Sequence, residues 1–107
     1  MTQTTKSRRE MLQGFVNSNP NDAFARYGLA LECAKLGDDV AASDNFRQLL
    51  SAHPEYVAGY FQFGQLLART GQLPEARKIL EAGISTAVKT GDTHARDEMQ
   101  SALAALG

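Results

Sequence analysis

Residues 57–84 read VAGYFQFGQLLARTGQLPEARKILEAGI and contain two helix patterns joined by a tight turn. In the first pattern, four residues share one helix face because they recur at spacings of three, one and three: Tyr60, Phe63, Gly64 and Leu67. Gly71 ends this helix, as glycine commonly does just past a helix C-terminus. Pro74 and Glu75 suit the first turn of the next helix. Its facing stripe holds five residues: Ala76, Ile79, Leu80, Gly83 and Ile84.

Gly64 stands in the middle of the first stripe and has no side chain there. A helix surface without a side chain lets a second helix backbone come close. We therefore predict a tight helix crossing at Gly64, and an overpacked core if a bulky residue replaces it.

The same unit occurs 34 residues earlier in the chain. Gly71 corresponds to Gly37, and Pro54 corresponds to Pro20. The apolar positions repeat at the same distance, so that Ala76 pairs with Ala42, Leu80 with Phe46, Phe63 with Leu29 and Gly64 with Ala30. A fixed period of this length indicates a repeat protein in which each unit is a helix–turn–helix.

The repeat resembles the tetratricopeptide repeat family over residues 21–88, whose pattern is W-x2-L-G-x2-Y, then A-x3-F, then P. The first unit reads Arg26-x2-Leu29-Ala30-x2-Cys33, then Ala42-x3-Phe46, then Pro54. The second unit reads Tyr60-x2-Phe63-Gly64-x2-Leu67, then Ala76-x3-Leu80. The chain departs from the pattern at Arg26, in the large aromatic position, and at Val88, in the position of the second proline. The resemblance implies an all-α, right-handed superhelical stack of antiparallel helix pairs.

We expect one domain over residues 1–107, built from about six helices. Residues 6–20 are predicted to form an N-terminal half-repeat helix, 21–54 the first repeat and 55–90 the second. Residues 92–106 have one apolar stripe and a polar back, which is typical of a C-terminal capping helix. Residues 1–5 are polar and are expected to be frayed.

The composition excludes several classes of partner. The net charge is −1 with acids and bases mixed, whereas a nucleic-acid-binding protein needs a basic footprint and a membrane-binding one a polybasic patch. We expect neither partner. No stretch has the roughly 18 apolar residues of a membrane span, and the first 12 residues lack the apolar run of a signal peptide. The single cysteine, Cys33, fits a reducing compartment, so we predict a cytoplasmic protein.

We expect no catalytic, cofactor or metal site. His53 and His94 lie far apart in the sequence, whereas a zinc site needs about four converging ligands. Cys33 occupies a packing position, which favours a buried small side chain over a nucleophile. Asp38 and Asp39 follow a turn glycine and lack the alternating acids of a calcium loop. No acid–base or nucleophile constellation is present, so we predict that the protein is not an enzyme.

The remaining candidate site is a surface. About 100° from the packing stripe, each first helix carries a second stripe. The predicted binding residues on it are Phe24, Tyr27, Leu31 and Lys35 in the first unit, and Phe61, Gln65 and Arg69 in the second. In the family this chain resembles, that stripe lines a concave groove that binds a peptide or helix. Aromatic residues on an exposed face indicate a contact site. Alternatively, the N-terminal half-repeat or local packing covers Phe24 and Leu31.

These residues predict a non-catalytic protein–protein interaction module that binds a protein or peptide partner. The alternative is a structural module that uses the same apolar surface to form a homodimer or larger homo-oligomer. Some family members hold acidic chaperone tails with a clamp of lysine, asparagine and arginine on the groove stripe. Here Tyr27 and Leu31 stand where the first lysine and the asparagine of that clamp would be. We therefore expect no useful affinity for such tails.

Overall fold

A computed structural model describes residues 6–107, which form six helices and no strand. The expected frayed segment, residues 1–5, lies outside the described residues. The helices are α1 (Arg8–Ser18), α2 (Ala23–Lys35), α3 (Asp39–Ala52), α4 (Val57–Arg69), α5 (Leu73–Thr90) and α6 (Thr93–Ala105). They stack into a body of 54 × 27 × 20 Å. The all-α prediction and the number of helices are confirmed.

Four of the six helices, all but α4 and α5, begin at residues whose side chains bond the free N–H groups of the first turn. Asp22, Asp38 and Asp92 cap α2, α3 and α6, each accepting a hydrogen bond from the backbone N–H three residues later. Ser7 and Glu10 form a reciprocal capping box at α1. The turns between paired helices use Gly37 and Gly71, whose φ angles of 82° and 81° are strained for any other residue type.

The helices pair as α2 with α3 and α4 with α5, with α1 packed on α2 and α6 packed on α5 and α4. The stripes that the sequence places face to face form the core. Phe46 of α3 stacks on Phe63 of α4 with their ring centroids 5.5 Å apart, and this contact joins the two repeats. A second apolar cluster, centred on Tyr60, Leu80, Ala87 and Met99, joins α4 and α5 to α6.

The tight crossing predicted at Gly64 is confirmed. A Cβ atom placed on Gly64 would lie 2.6 Å from Cδ2 of Leu80 on α5, well inside van der Waals contact. The aromatic position four residues earlier is filled differently in the two repeats. Tyr60 is buried and its hydroxyl donates to the carbonyl of Pro54 at 2.6 Å. Arg26, its counterpart, instead donates from Nη1 to Oδ1 of Asn45 at 3.1 Å.

The absence of a proline at Val88 lengthens α5 to 18 residues. As a result Thr93 follows Val57 by 36 residues, whereas Val57 follows Ala23 by 34. With this shift α6 corresponds to the first helix of a repeat. Met99 then takes the buried position of Phe63, and Gln100 takes the position of Gly64.

Candidate functional site

The clearest candidate site is an open depression of about 420 Å³ between α2 and α4. Apolar side chains, amides and cations share its lining: Leu31, Ala34, Lys35, Gln62, Gln65, Leu66 and Arg69. Both helices contribute residues near their C-terminal ends. We call these seven residues the α2–α4 depression.

The α2–α4 depression has a basic edge. Nη2 of Arg69 lies 3.1 Å from Oδ1 of Asp39, at the start of α3. Both side chains are more than a third exposed, so this ion pair is solvent-screened and weak. Lys35 of α2 is exposed and also lines the depression. None of the seven lining residues is acidic. An incoming carboxylate therefore meets two cations and two amides that can donate hydrogen bonds.

The two aromatic residues predicted on α2 lie outside the depression. Phe24, near the start of the helix, is 77% exposed and therefore covered by neither α1 nor local packing. Tyr27 is half-buried, with its ring centroid 5.2 Å from that of Tyr56. Burial raises the pKa of Tyr27, and the side chain of Gln62 opposes that rise. The Tyr27 hydroxyl thus stays neutral near pH 7 and contributes shape and hydrogen bonding rather than charge.

Phe61 is also placed apart from the depression. Its ring is half-buried and packs against the second apolar cluster, the one that joins α4 and α5 to α6. Of the seven predicted binding residues, the structure therefore brings together Leu31, Lys35, Gln65 and Arg69. Whether these residues bind a partner stays a prediction.

Three lining residues are not among the seven predicted binding residues: Ala34, Gln62 and Leu66. Ala34 shares the predicted stripe of α2, whereas Gln62 and Leu66 lie one turn apart on α4, on the side of the helix that faces α2. A helical pattern in the sequence shows which residues share a face of one helix, but it does not show how that helix is rotated against its neighbour. The i,i+4 spacing of Gln62 and Leu66 was the available signal.

The histidine and cysteine side chains of residues 6–107 lie outside the α2–α4 depression. No group of three or more histidine, cysteine or acidic side chains within residues 6–107 could hold a metal ion. Cys33 is buried as predicted, and burial raises the pKa of its thiol, so the nucleophilic thiolate is disfavoured at neutral pH. His53 lies within 3.1 Å of the Asn21 carbonyl, and His94 within 3.1 Å of a Glu98 carboxylate oxygen.

Over the same described residues, no helix combines the length and the apolar character needed to cross a bilayer.

A second open depression, of about 490 Å³, lies where α1, α2 and α3 meet. Its lining is mainly polar and includes Gln13, Asn17, Asp44 and Gln48. Its one cation, Arg26, already bonds Asn45 within the same wall. This depression offers little apolar surface to a partner, which makes it a weaker candidate than the α2–α4 depression.

Comparison with known proteins places this fold in a family. No family model matches the chain. A TPR repeat-containing protein of Pseudomonas aeruginosa is 30% identical over 90 residues, which are 84% of this chain and 86% of that protein.

Among solved structures, the tetratricopeptide repeat domain protein of Salinibacter ruber is 31% identical in its solution structure, with a TM-score of 0.78 over 81% of this chain and 88% of that chain. A Bordetella parapertussis protein shares the fold, with a TM-score of 0.82 and 24% identity over 95% of this chain and 89% of its own. The sequence relative, the 34-residue unit and the stack of helix pairs agree. The chain belongs to the tetratricopeptide repeat family.

Proposed function

We propose that this protein is a non-catalytic interaction module that binds a peptide or helix segment of a protein partner in the α2–α4 depression. Tetratricopeptide repeat proteins are in general scaffolds with protein partners. The observation that carries the proposal is the composition of the depression, in which apolar, amide and cationic side chains meet in one open space. The cytoplasmic location expected from the sequence stays a prediction.

The lining defines the chemistry of the partner. Leu31 and Leu66 offer an apolar floor, while Lys35 and Arg69 form the cationic edge. A segment with one large apolar side chain next to an acidic residue satisfies both. Burying one such side chain contributes about 1.5–3 kcal/mol before the cost of ordering the segment. One such contact is far too little for tight binding, so we expect a weak complex, with an association rate that falls as the salt concentration rises.

The experiment begins with the full chain as bait in native lysate, and mass spectrometry identifies the captured partner. Calorimetry then compares the parent with Lys35→Glu, which reverses the exposed charge at the edge, and Gln65→Trp, which fills the depression. Both positions are exposed, so both variants should keep the parent helicity. We expect each to weaken binding about tenfold or more, which corresponds to a loss of about 1.4 kcal/mol.

Lys78→Glu is the matched control, because Lys78 is also an exposed lysine but lies on α5, outside the depression. It should bind like the parent. If Lys35→Glu and Gln65→Trp bind as tightly as Lys78→Glu, the depression is not the binding site.

The alternative function, self-association through the predicted groove stripe, is supported by Phe24, an aromatic side chain that is largely exposed on that stripe. Light scattering on the Gln65→Trp and Phe24→Ser variants, each compared with the parent, separates the two functions. Under the main proposal, Gln65→Trp blocks the captured partner and leaves the mass in solution unchanged. Under the alternative, Phe24→Ser lowers the mass of an associating parent.

A further inference from the structure

One end of the stack carries an apolar surface that the proposed function does not use. Met11 and Phe15 of α1 are 59% and 50% exposed, and Phe24 of α2 is 77% exposed. Since α1 ends at Ser18 and α2 begins at Ala23, Phe15 and Phe24 lie at the same end of this antiparallel pair. Large apolar side chains exposed together mark an interaction site more often than singly exposed ones do.

Three of the residues on α1 form a single stripe. Arg8, Met11 and Phe15 are separated by three and four residues, so they lie on one helix face. The side chain of Arg8 is 72% exposed and lies 3.5 Å from the carboxylate of Glu32 on α2. We call these three residues the α1 stripe.

The repeat shows what this face does elsewhere in the fold. With the 34-residue period, Phe15 corresponds to Leu49 of α3, and Arg8 corresponds to Ala42. Both counterparts are fully buried, the counterpart of Met11, Asn45, is half-buried, and α3 packs mainly on α2. On α1 the same face is open in the part of the chain that the structure describes. The α1 stripe is therefore a helix-packing face without a helix on it.

A second copy could cover this face head to tail, by placing its α6 on α1. The side chains oppose that arrangement. Gln100 is the residue of α6 that corresponds to Gly64 of α4. At Gly64 itself there is no room even for a Cβ atom, which would collide with Leu80 of α5. Leu80 corresponds to Leu12 of α1 by two 34-residue steps, so Gln100 would be forced against Leu12. A close helix crossing of this kind does not tolerate glutamine.

We propose instead that two copies of this chain pair through their α1 helices about a two-fold axis near Met11. At about 1.5 Å per residue, Arg8 and Phe15 lie at about equal distances on opposite sides of a point between residues 11 and 12. An antiparallel pair of α1 helices thus sets Arg8 of each copy against Phe15 of the other, and Met11 against Met11. A two-fold interface has to be self-complementary in this way.

The charges on the α1 stripe are compatible with pairing to a second copy of the chain. A guanidinium over an aromatic ring is a favourable cation–π contact, and the pairing makes two of them. The neighbouring Glu32 already offsets the charge of Arg8, and the net charge of −1 leaves little repulsion between copies. Two large apolar side chains and one arginine per copy cover less than a standard interface of about 1,600 Å², so we expect a dimer with a Kd on the order of 100 µM.

Sedimentation equilibrium of the full chain tests this inference. The weight-average mass should rise from that of a monomer towards twice that value as the concentration passes the Kd. The double variant Met11→Ser, Phe15→Ser should stay monomeric at all concentrations with unchanged helicity. Val88→Ser is the matched control, because Val88 is 61% exposed on α5, and it should associate like the parent. A parent that stays monomeric, or a double variant that associates equally well, overturns the proposal.

Cysteine cross-linking tests the position of the axis. Air oxidation should link Met11→Cys rapidly into a disulfide dimer, because the two cysteines face each other near the axis. Phe15→Cys should not link to itself, because its two copies would be about 10 Å apart along the helices. Mixed with Arg8→Cys, it should give the mixed dimer. If Phe15→Cys links to itself as fast as Met11→Cys does, the two-fold pairing is wrong. Cys33 is buried in the parent chain, so it should not compete in the cross-linking.

Discussion

Gly83 is a position at which one added methyl group should lower the stability of the fold. It lies on α5 where α4 and α6 both approach. A Cβ atom there would lie 2.6 Å from Cβ of Tyr60 and closer still to the sulfur of Met99. The Met99 side chain can change rotamer, but Cβ of Tyr60 is fixed to its backbone. Gly83→Ala therefore forces α4 and α5 apart.

The magnitude follows from two opposing effects. Overpacking a well-filled core destabilises a protein by about 1–3 kcal/mol. Alanine is favoured over glycine in a helix by about 0.8–1.0 kcal/mol, which offsets part of that loss. We expect Gly83→Ala to lower the free energy of unfolding by roughly 0–2 kcal/mol. For a domain of this size, the Tm should fall by up to roughly 12 °C.

Gly14→Ala is the matched control, because it makes the same substitution where the helix is open. Gly14 lies inside α1, and a Cβ atom there would meet nothing within 4 Å. Only the helix preference remains, so Gly14→Ala should raise the free energy of unfolding by about 0.5–1 kcal/mol. Urea unfolding followed by far-ultraviolet circular dichroism measures both variants, and unchanged m-values would show that the denatured state is comparable.

The test is whether Gly83→Ala has a lower free energy of unfolding than Gly14→Ala. If Gly83→Ala is as stable as Gly14→Ala, the three-helix junction has room for a methyl group. The close approach of α4, α5 and α6 described above would then be wrong.

Three further outcomes are expected. The Ala41 N–H at the start of α3 and the guanidinium of Arg9 lower the pKa of Asp38, so the contribution of Asp38 to stability is complete above about pH 4 and is lost as the pH falls through its folded pKa. In an acid titration, the stability of Asp38→Asn should therefore fall less between about pH 4 and pH 2 than that of the parent, and an equally steep fall would contradict this. Burial raises the pKa of the Cys33 thiol, so a thiol reagent should modify it only as fast as the protein opens, and immediate reaction of the native chain would contradict its burial. An acidic chaperone-tail peptide should show no useful affinity in calorimetry, because Lys35 and Arg69 alone do not make a clamp; low-micromolar binding would prove this wrong.

Much of this protein was determined by its sequence alone. The 34-residue period, the turn residues Gly37 and Gly71, and the small residue Gly64 were sufficient to predict the helix pairs and the tight crossing. The burial of Cys33 followed from the same stripes. These features depend on local geometry, because a helix fixes which side chains share a face and a turn glycine fixes where the helix ends.

Only the tertiary structure decided how the helices are rotated against each other, and the candidate site depends on that rotation. The rotation brings Gln62 and Leu66 into the α2–α4 depression and places Phe61 against the second apolar cluster. It also brings Arg69 to Asp39, 30 residues earlier in the chain. A stripe on one helix spans an arc wide enough for several packing angles, and the choice among them depends on the volumes of side chains from three or four helices at once. No single stretch of the sequence contains that information.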